Sequence, residues 1–519
     1  MSKKQFMRST GLVGGGTAIS KLLGFVRDVG IAQVFGTAMA AQAFIVAFRI
    51  PNMMRALVGE GAANTAVVPV MTEYHATKPA GEYLRLFRAL FNTTFTILAA
   101  LSIGGILLSP VIIRVIAPGF MKDPEKLILT IHLSRIIFPY LLLIGLTAFL
   151  MGVLNSKGHF AAPAFGQGLL NVSVLASLFV LCPKIGVYGL AVGVLGGGAL
   201  QLFVNWLIAH REGLTVSAAA GFSHEGVRKV GRLMLPRIAG AAVYQANLFV
   251  DTVLASLGWI VGAGGVAGLY YAHRLIQFPL AIFGNSIAQV ALPKMSREAA
   301  ENDIQALNET LLFSLRFGFF VMIPASAGLA ALSTPIIRTL FERGNFGAYS
   351  TFITQRALLF YSFGLFASCG IKILVNGFYA LQDTVTPVKT AGAAVVLNIV
   401  LNLILMWPLK IGGIALATSI AAIVNFCMLF YLLRKKIGGP PLKDILDPLY
   451  KIVASAAVMV LFCRLMARWI AIPPGYSTIH NAASLAAIIL PSVVVYIAAT
   501  LCFGMREAST LVRWISRKR

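Results

Sequence analysis

The chain has 519 residues, 58% of them hydrophobic and only 12% charged, and 43 Lys+Arg against 18 Asp+Glu leave a net charge of +25. So much apolar surface exceeds what a soluble core of this length uses, which excludes an ordinary soluble enzyme and indicates an all-α polytopic membrane protein. The positive charge is scattered over many short connections, so it does not form a nucleic-acid face; topology control and attraction to anionic headgroups account for it.

Apolar stretches near the ~20 residues needed to cross a bilayer recur along the whole chain, and about 14 transmembrane helices are predicted. The first, 9–35, carries Lys21, Arg27 and Asp28. These interrupt what would be a signal-peptide core, so an uncleaved helix is expected. The second, 40–70, holds Arg49, Pro51, Arg55 and Glu60, and the stretches 88–117, 129–154, 161–183 and 186–209 follow it. Next come 229–257 with Arg237 and Asp251, 266–293 with His273, Arg274 and Pro279, 310–337, 353–380 with Lys372, 386–408 and 411–433. After Arg434-Lys435-Lys436, the spans 448–470 and 482–504 end the series.

Loop charges orient the bundle, because Lys and Arg are retained on the cytoplasmic side. Lys3, Lys4, Arg8, Arg228, Lys229, Arg232 and Arg434 through Lys436 fall on the side of the N-terminus. Fewer basic residues, among them Arg114, Lys122, Lys184 and Lys410, lie opposite. Both termini are therefore expected in the cytoplasm. The five cysteines lie in or beside apolar spans without Cys-x-x-Cys spacing and read as packing residues.

A repeat of about 224 residues organises these spans. Leu108, Ser109, Ile112, Ile113 and Arg114 match Leu332, Ser333, Ile336, Ile337 and Arg338, while Pro69 and Pro163 match Pro293 and Pro387. Six spans per copy make the repeats parallel, two lobes able to rock about a cavity between them. The expected domains are 1–220, 221–436 and a two-helix extension, 437–519.

Arg27, Arg49, Arg55 and Arg274 sit inside apolar stretches. Each costs roughly 2.5–3.5 kcal/mol at a bilayer centre, on the order of 10 kcal/mol for four, unless they face a wet interior. They are the candidate substrate-binding residues of a cavity that receives an anion. Pro51 and Pro279 follow Arg49 and Arg274, so both helices are expected to break near the charge. Asp28, Glu60 and Asp251 are candidate counter-ions or coupling carboxylates, and Lys21, Arg237, His273 and Lys372 are accessory candidates. No catalytic residue, metal ligand set or cofactor motif emerges, and Gly15 through Leu22 lacks the second Gly and the Ser/Thr of a phosphate-binding loop.

The stretches Gly24-Phe25-Val26-Arg27-Asp28, Phe48-Arg49-Ile50-Pro51-Asn52-Met53-Met54-Arg55 and Glu60-Gly61-Ala62 resemble the MurJ/MviN lipid II flippases of the MOP exporter superfamily. Tyr271-Ala272-His273-Arg274-Leu275, Gln277-Phe278-Pro279, Leu381-Gln382-Asp383-Thr384 and Thr386-Pro387 extend the resemblance over essentially the whole chain. It implies 14 transmembrane helices, two six-helix lobes, a cationic central cavity, and a lipid-tail groove formed by the last two helices. The implied activity is movement of undecaprenyl-diphosphate-linked peptidoglycan precursor from the cytoplasmic to the periplasmic leaflet of the bacterial inner membrane. By resemblance Arg27, Arg55 and Arg274 take the essential cavity positions and Arg49 a usually basic one. Gln42 and His273 depart from the pattern, which often has Asp at the first and Asp or Asn at the second.

A diphosphate suits these residues on chemical grounds, since Arg forks bind its oxygens bidentately and Lys only as a point charge. The alternatives are a flippase for another polyprenyl-diphosphate-linked oligosaccharide and, from another class, an integral-membrane polyprenyl-phosphate glycosyltransferase; no loop supplies the acidic or His cluster that the latter needs. Membrane potential or a monovalent cation gradient is the expected energy source. Beyond the lipid-linked substrate and membrane lipids, cell-wall synthesis or division proteins are the candidate partners.

Overall fold

The computed structural model describes residues 3–57, 64–159, 161–217, 224–439, 443–470, 478–505 and 507–509, and all regular structure among them is helical. The order is α1 (Lys3–Phe35), α2 (Met39–Arg55), α3 (Asn64–Thr77), α4 (Ala80–Ile116), a 3₁₀ turn (Pro118–Lys122), α5 (Pro124–Ile137), α6 (Tyr140–Ser156), α7 (Ala161–Val180), the single turn α8 (Cys182–Ile185) and α9 (Tyr188–Arg211). It continues with α10 (Glu225–Ala255), α11 (Gly258–Val261), α12 (Gly265–Pro279), a π segment (Leu280–Gly284), α13 (Asn285–Ala300), α14 (Ile304–Ala331) and α15 (Ser333–Phe341). Last come α16 (Ala348–Ser362), α17 (Leu365–Ala380), α18 (Val385–Leu409), α19 (Ile411–Ile437), α20 (Lys443–Trp469) and α21 (Thr478–Cys502).

Among the described residues, 9 helices are long and apolar enough to cross a membrane, or 10 when α16 and α17, bent by 45° at their junction, count as one. The other predicted spans fall on the helices α1, α2 with α3, α7 and α10. The chain is a multi-pass membrane protein.

The repeat is visible in the backbone. Left-handed positions recur at Gly158 (φ 85°) and Gln382 (φ 58°) and at Gly186 (φ 59°) and Lys410 (φ 54°), each pair 224 positions apart. Ser109 accepts from Arg135 Nε at 3.2 Å, and its counterpart Ser333 accepts from Gln355 Nε2 at 3.1 Å. Each copy also breaks differently: α4 runs through Pro110, whereas α14 stops at Ala331 and α15 restarts at Ser333, two residues before Pro335.

Lipid is as apolar as leucine, so helices in a bilayer associate by close approach of small residues rather than by burial alone. On α9 the glycines 189, 193 and 197, spaced by four, face α7 and its end. A Cβ at Gly189 would lie 2.7 Å from Cys182 N, and one at Gly197 would lie 2.8 Å from Leu170 Cα. The counterparts on α19 are Gly413, Ala417 and Ala421, all three buried. Both hairpins turn on a residue in one conformation, Gly186 (ψ −142°) and Lys410 (ψ −131°). That region is steep for any residue with a Cβ, costing of order 1–3 kcal/mol. Lys410→Gly is therefore expected to stabilise the protein by about 1 kcal/mol after glycine's entropy is offset, read as a rise in the detergent unfolding temperature.

The chain divides into two compact units, Met1–Ser256 and Leu257–Arg519. In the first, α1 packs on α7, α6 on α9, and α2 on α5; in the second, α17 packs on α19, α12 on α16, and α20 on α14 and α21. The symmetry also fails at α10. α10 opens the second repeat, yet it packs on α3 and α4 of the first unit, held by Lys229 to Glu73 at 2.6 Å and by His224 to Glu82 at 3.2 Å.

Candidate functional site

In the first unit α1 carries Arg27 and Asp28 into the contact with α7. Arg27 donates to Asp28 Oδ1 through Nη2 at 2.7 Å and Nε at 3.1 Å, and through Nη1 to Asn171 Oδ1 of α7 at 3.0 Å. Asn171 in turn donates to the Ser20 carbonyl at 3.0 Å. Both members of the ion pair are nearly enclosed, at 8% and 1% exposure. A carboxylate and an amide oxygen thus meet a guanidinium that hydrocarbon could not solvate. Asn171, 144 positions away and neither charged nor part of a motif, was invisible in the sequence.

Arg49 and Arg55 lie half-buried on α2, Arg55 donating through Nε to Asn52 Oδ1 at 3.2 Å. Lys21 is exposed on α1. Glu60 lies outside the described residues, as does the side chain of Arg237. Asp251 is buried at 6% exposure on α10, within the first unit. Gln42 is built into structure: it donates to the Thr37 carbonyl and accepts from Lys126 Nζ, each at 3.0 Å.

In the second unit α12 carries His273 and Arg274. Arg274 Nη2 donates to the Tyr270 hydroxyl one turn back at 3.0 Å, and its guanidinium lies 5.0 Å from that ring's centroid. The His273 ring packs edge-on against Tyr361 at 5.9 Å and lies 3.3 Å from Gln277 Nε2. Five residues beyond Arg274 the helix passes at Pro279 into the π segment and on into α13 as one span, Gly265–Ala300, so the proline shifts the hydrogen-bond register where a break was expected; α2 likewise runs through Pro51 to Arg55, because a proline inside a helix removes one N–H without ending it. Lys372 of α17 reaches Asn285 Oδ1 just past the π segment.

The sequence motif Leu381-Gln382-Asp383-Thr384 is structural. Asp383 caps α18, accepting from Thr386 N at 3.0 Å and Thr386 Oγ1 at 2.9 Å, and it pairs with Lys436 Nζ at 2.6 Å. The first repeat holds the same place with the signs reversed: Glu212 pairs with His159 at 3.0 Å and Lys157 at 3.2 Å. Lys436 first, and then the Thr386 N–H, pull the Asp383 carboxyl down to about 2. A depressed carboxylate adds stability above its ordinary value, and that stability is lost as pH falls toward 2. Asp383→Asn is expected to lower the unfolding temperature at neutral pH, with the gap to the parent closing as pH drops below ~4.

A family model described as Lipid II flippase MurJ matches residues 31–472. The probable lipid II flippase MurJ of Buchnera aphidicola subsp. Acyrthosiphon pisum is 35% identical over 451 residues, covering 86% of this chain and 87% of its own. The probable lipid II flippase MurJ of Vibrio cholerae is 36% identical over 436 residues, 82% of each chain, and that of Rhizobium meliloti is 33% identical over 516 residues, 97% of this chain and 95% of its own. Among solved structures, a lipid II flippase MurJ in an inward closed conformation superposes with a TM-score of 0.79 at 27% identity, covering 95% of this chain and 98% of that one. An inward-facing multidrug MATE transporter of the MOP superfamily shares the fold, at TM-score 0.67 and 14% identity, over 81% of this chain and 94% of its own.

Proposed function

Because the chain belongs to the MurJ family of lipid II flippases, we propose that it carries lipid II from the cytoplasmic to the periplasmic leaflet of the bacterial inner membrane by alternating access. It acts as a transporter, not an enzyme. Lobes 1–220 and 221–436 rock about a cationic cavity whose Arg27, Arg49, Arg55 and Arg274 receive the diphosphate, and 437–519 provides a groove for the polyprenyl tail. Asp28, and Glu60 and Asp251 with it, neutralise arginines when no substrate is bound; Lys21, Arg237 and His273 add to the cavity's positive field.

The observation that carries this reading is the Arg27 site. A guanidinium is kept inside an apolar helix pair by one carboxylate and one amide, partners that a phosphate oxygen can replace in kind. With both termini in the cytoplasm, mobile cavity cations feel ~2.3 kcal/mol per charge per 100 mV, so membrane potential supplies the drive.

The test is leaflet accessibility of lipid II in cells depleted of their own flippase. Expression of this chain should return the precursor to the outer leaflet, and collapse of the potential should stop the return. Precursor that stayed inside despite stable expression, in cells that a relative rescues, would sink the assignment.

A further inference from the structure

We propose that Cys369, Lys372 and Asn376 of α17 form a pin that holds the far half of the helical span bearing Arg274, at and just beyond its π segment, so that the second unit presents Arg274 in a fixed place. The inference rests on the flippase reading and adds positioning residues to it. Lys372 thereby acts through α13 rather than by touching substrate.

The π segment is the weak point of this span. Pro279 contributes no N–H, and the π segment Leu280–Gly284 that follows interrupts the α-helical ladder. Proline and π-bulges are the places where helices kink, and a kink here would move Arg274 relative to α13. The three α17 residues meet the far side of this segment in order. A Cβ on Gly284, the last π residue, would lie 3.5 Å from Cys369 Sγ, so the Cys369 side chain lies against the end of the π segment. Lys372 Nζ donates to Asn285 Oδ1 at the first residue of α13. Asn376 Nδ2 donates to the Ala288 carbonyl, one turn further, at 2.7 Å. Positions 369, 372 and 376 fall on one stripe of a helix, which is what a continuous grip requires.

The first repeat lacks the device. Counted back by 224, the three positions are Gly145, Ala148 and Gly152, none with a side-chain donor. Packing the equivalent helices therefore needs neither an ammonium nor an amide. A lysine inside a span is costly, so its presence in one copy alone marks a task specific to that copy. The consequence is an unequal pair of lobes, one with this brace on its π segment and one without those donors.

Two variants separate bracing from direct contact with the substrate. Lys372→Gln keeps a donor for Asn285 and discards the charge; Lys372→Met discards both. In the full-length protein, Lys372→Gln is expected to flip lipid II at close to the parental rate and Lys372→Met roughly tenfold more slowly, the loss of a hydrogen bond to a charged donor. As an independent readout, a cysteine placed at Gly284 opposite the native Cys369, in a chain whose other four cysteines are serines, should be joined to it by a short thiol reagent without loss of transport, because the two helices never part. Lys372→Gln as slow as Lys372→Met, or a cross-link that stops transport reversibly, would overturn the pin. Failure of the parent chain itself to flip lipid II would instead remove the reading beneath it.

Discussion

Arg27→Ala, Arg55→Ala and Arg274→Ala are each expected to abolish support of growth in cells depleted of their own flippase, with Arg→Lys at the same positions retaining part of it. A bidentate guanidinium–phosphate contact places two charge-assisted hydrogen bonds where lysine offers one point charge. Hydrogen bonds to charged groups contribute about 1.5–3 kcal/mol each, so losing one such contact slows transport by roughly tenfold or more. Arg27 has a second liability. Its removal strips the enclosed Asp28 of the guanidinium 2.7 Å away, and breaking a buried pair from one side costs about 3–5 kcal/mol. The double variant Arg27→Ala/Asp28→Asn should therefore recover folded protein and still fail to flip, which assigns Arg27 to substrate and not merely to folding. Growth sustained by all three alanine variants would refute the cavity.

Gly413→Ala is expected to be the most damaging single-methyl change among the described glycines. The added Cβ would sit on the Leu405 carbonyl, a backbone group at the end of α18 that has no rotamer to turn away. Overpacking of this kind costs about 1–3 kcal/mol where side chains can yield, and more where they cannot. Folded yield in detergent should collapse. Gly392→Ala on the same hairpin is the control, since nothing lies within 4 Å of its Cβ position, and it should match the parent or exceed it. Equal yields from the two variants would mean that the turn at Lys410 is looser than described.

The spans were legible because hydropathy over ~20 residues is a strong signal, and the repeat because Leu-Ser-x-x-Ile-Ile-Arg recurs at one spacing. The joints were less so. The predicted span 310–337 ignores the stop at Ala331, and 353–380 ignores the 45° bend after Ser362, since apolar residues continue across both and hydropathy averages over a break. At the candidate site the charged residues announced themselves through the cost of burying them. Their neutral partners did not: Asn171 and Asn285 are ordinary letters until folding brings α7 to Arg27 and α13 to Lys372. Asp383 shows the opposite case, a motif residue whose structural work is to cap a helix and hold Lys436.

The crossing of α10 to the first unit has a bearing on biogenesis. Glu73 and Glu82 must wait through more than a hundred further residues before Lys229 and His224 emerge to meet them. A nascent chain halted near residue 220 would lack the helix that packs on α3 and α4 and should be a substrate for membrane quality control, whereas one that extends to Ser256 carries that helix and both of its pairs.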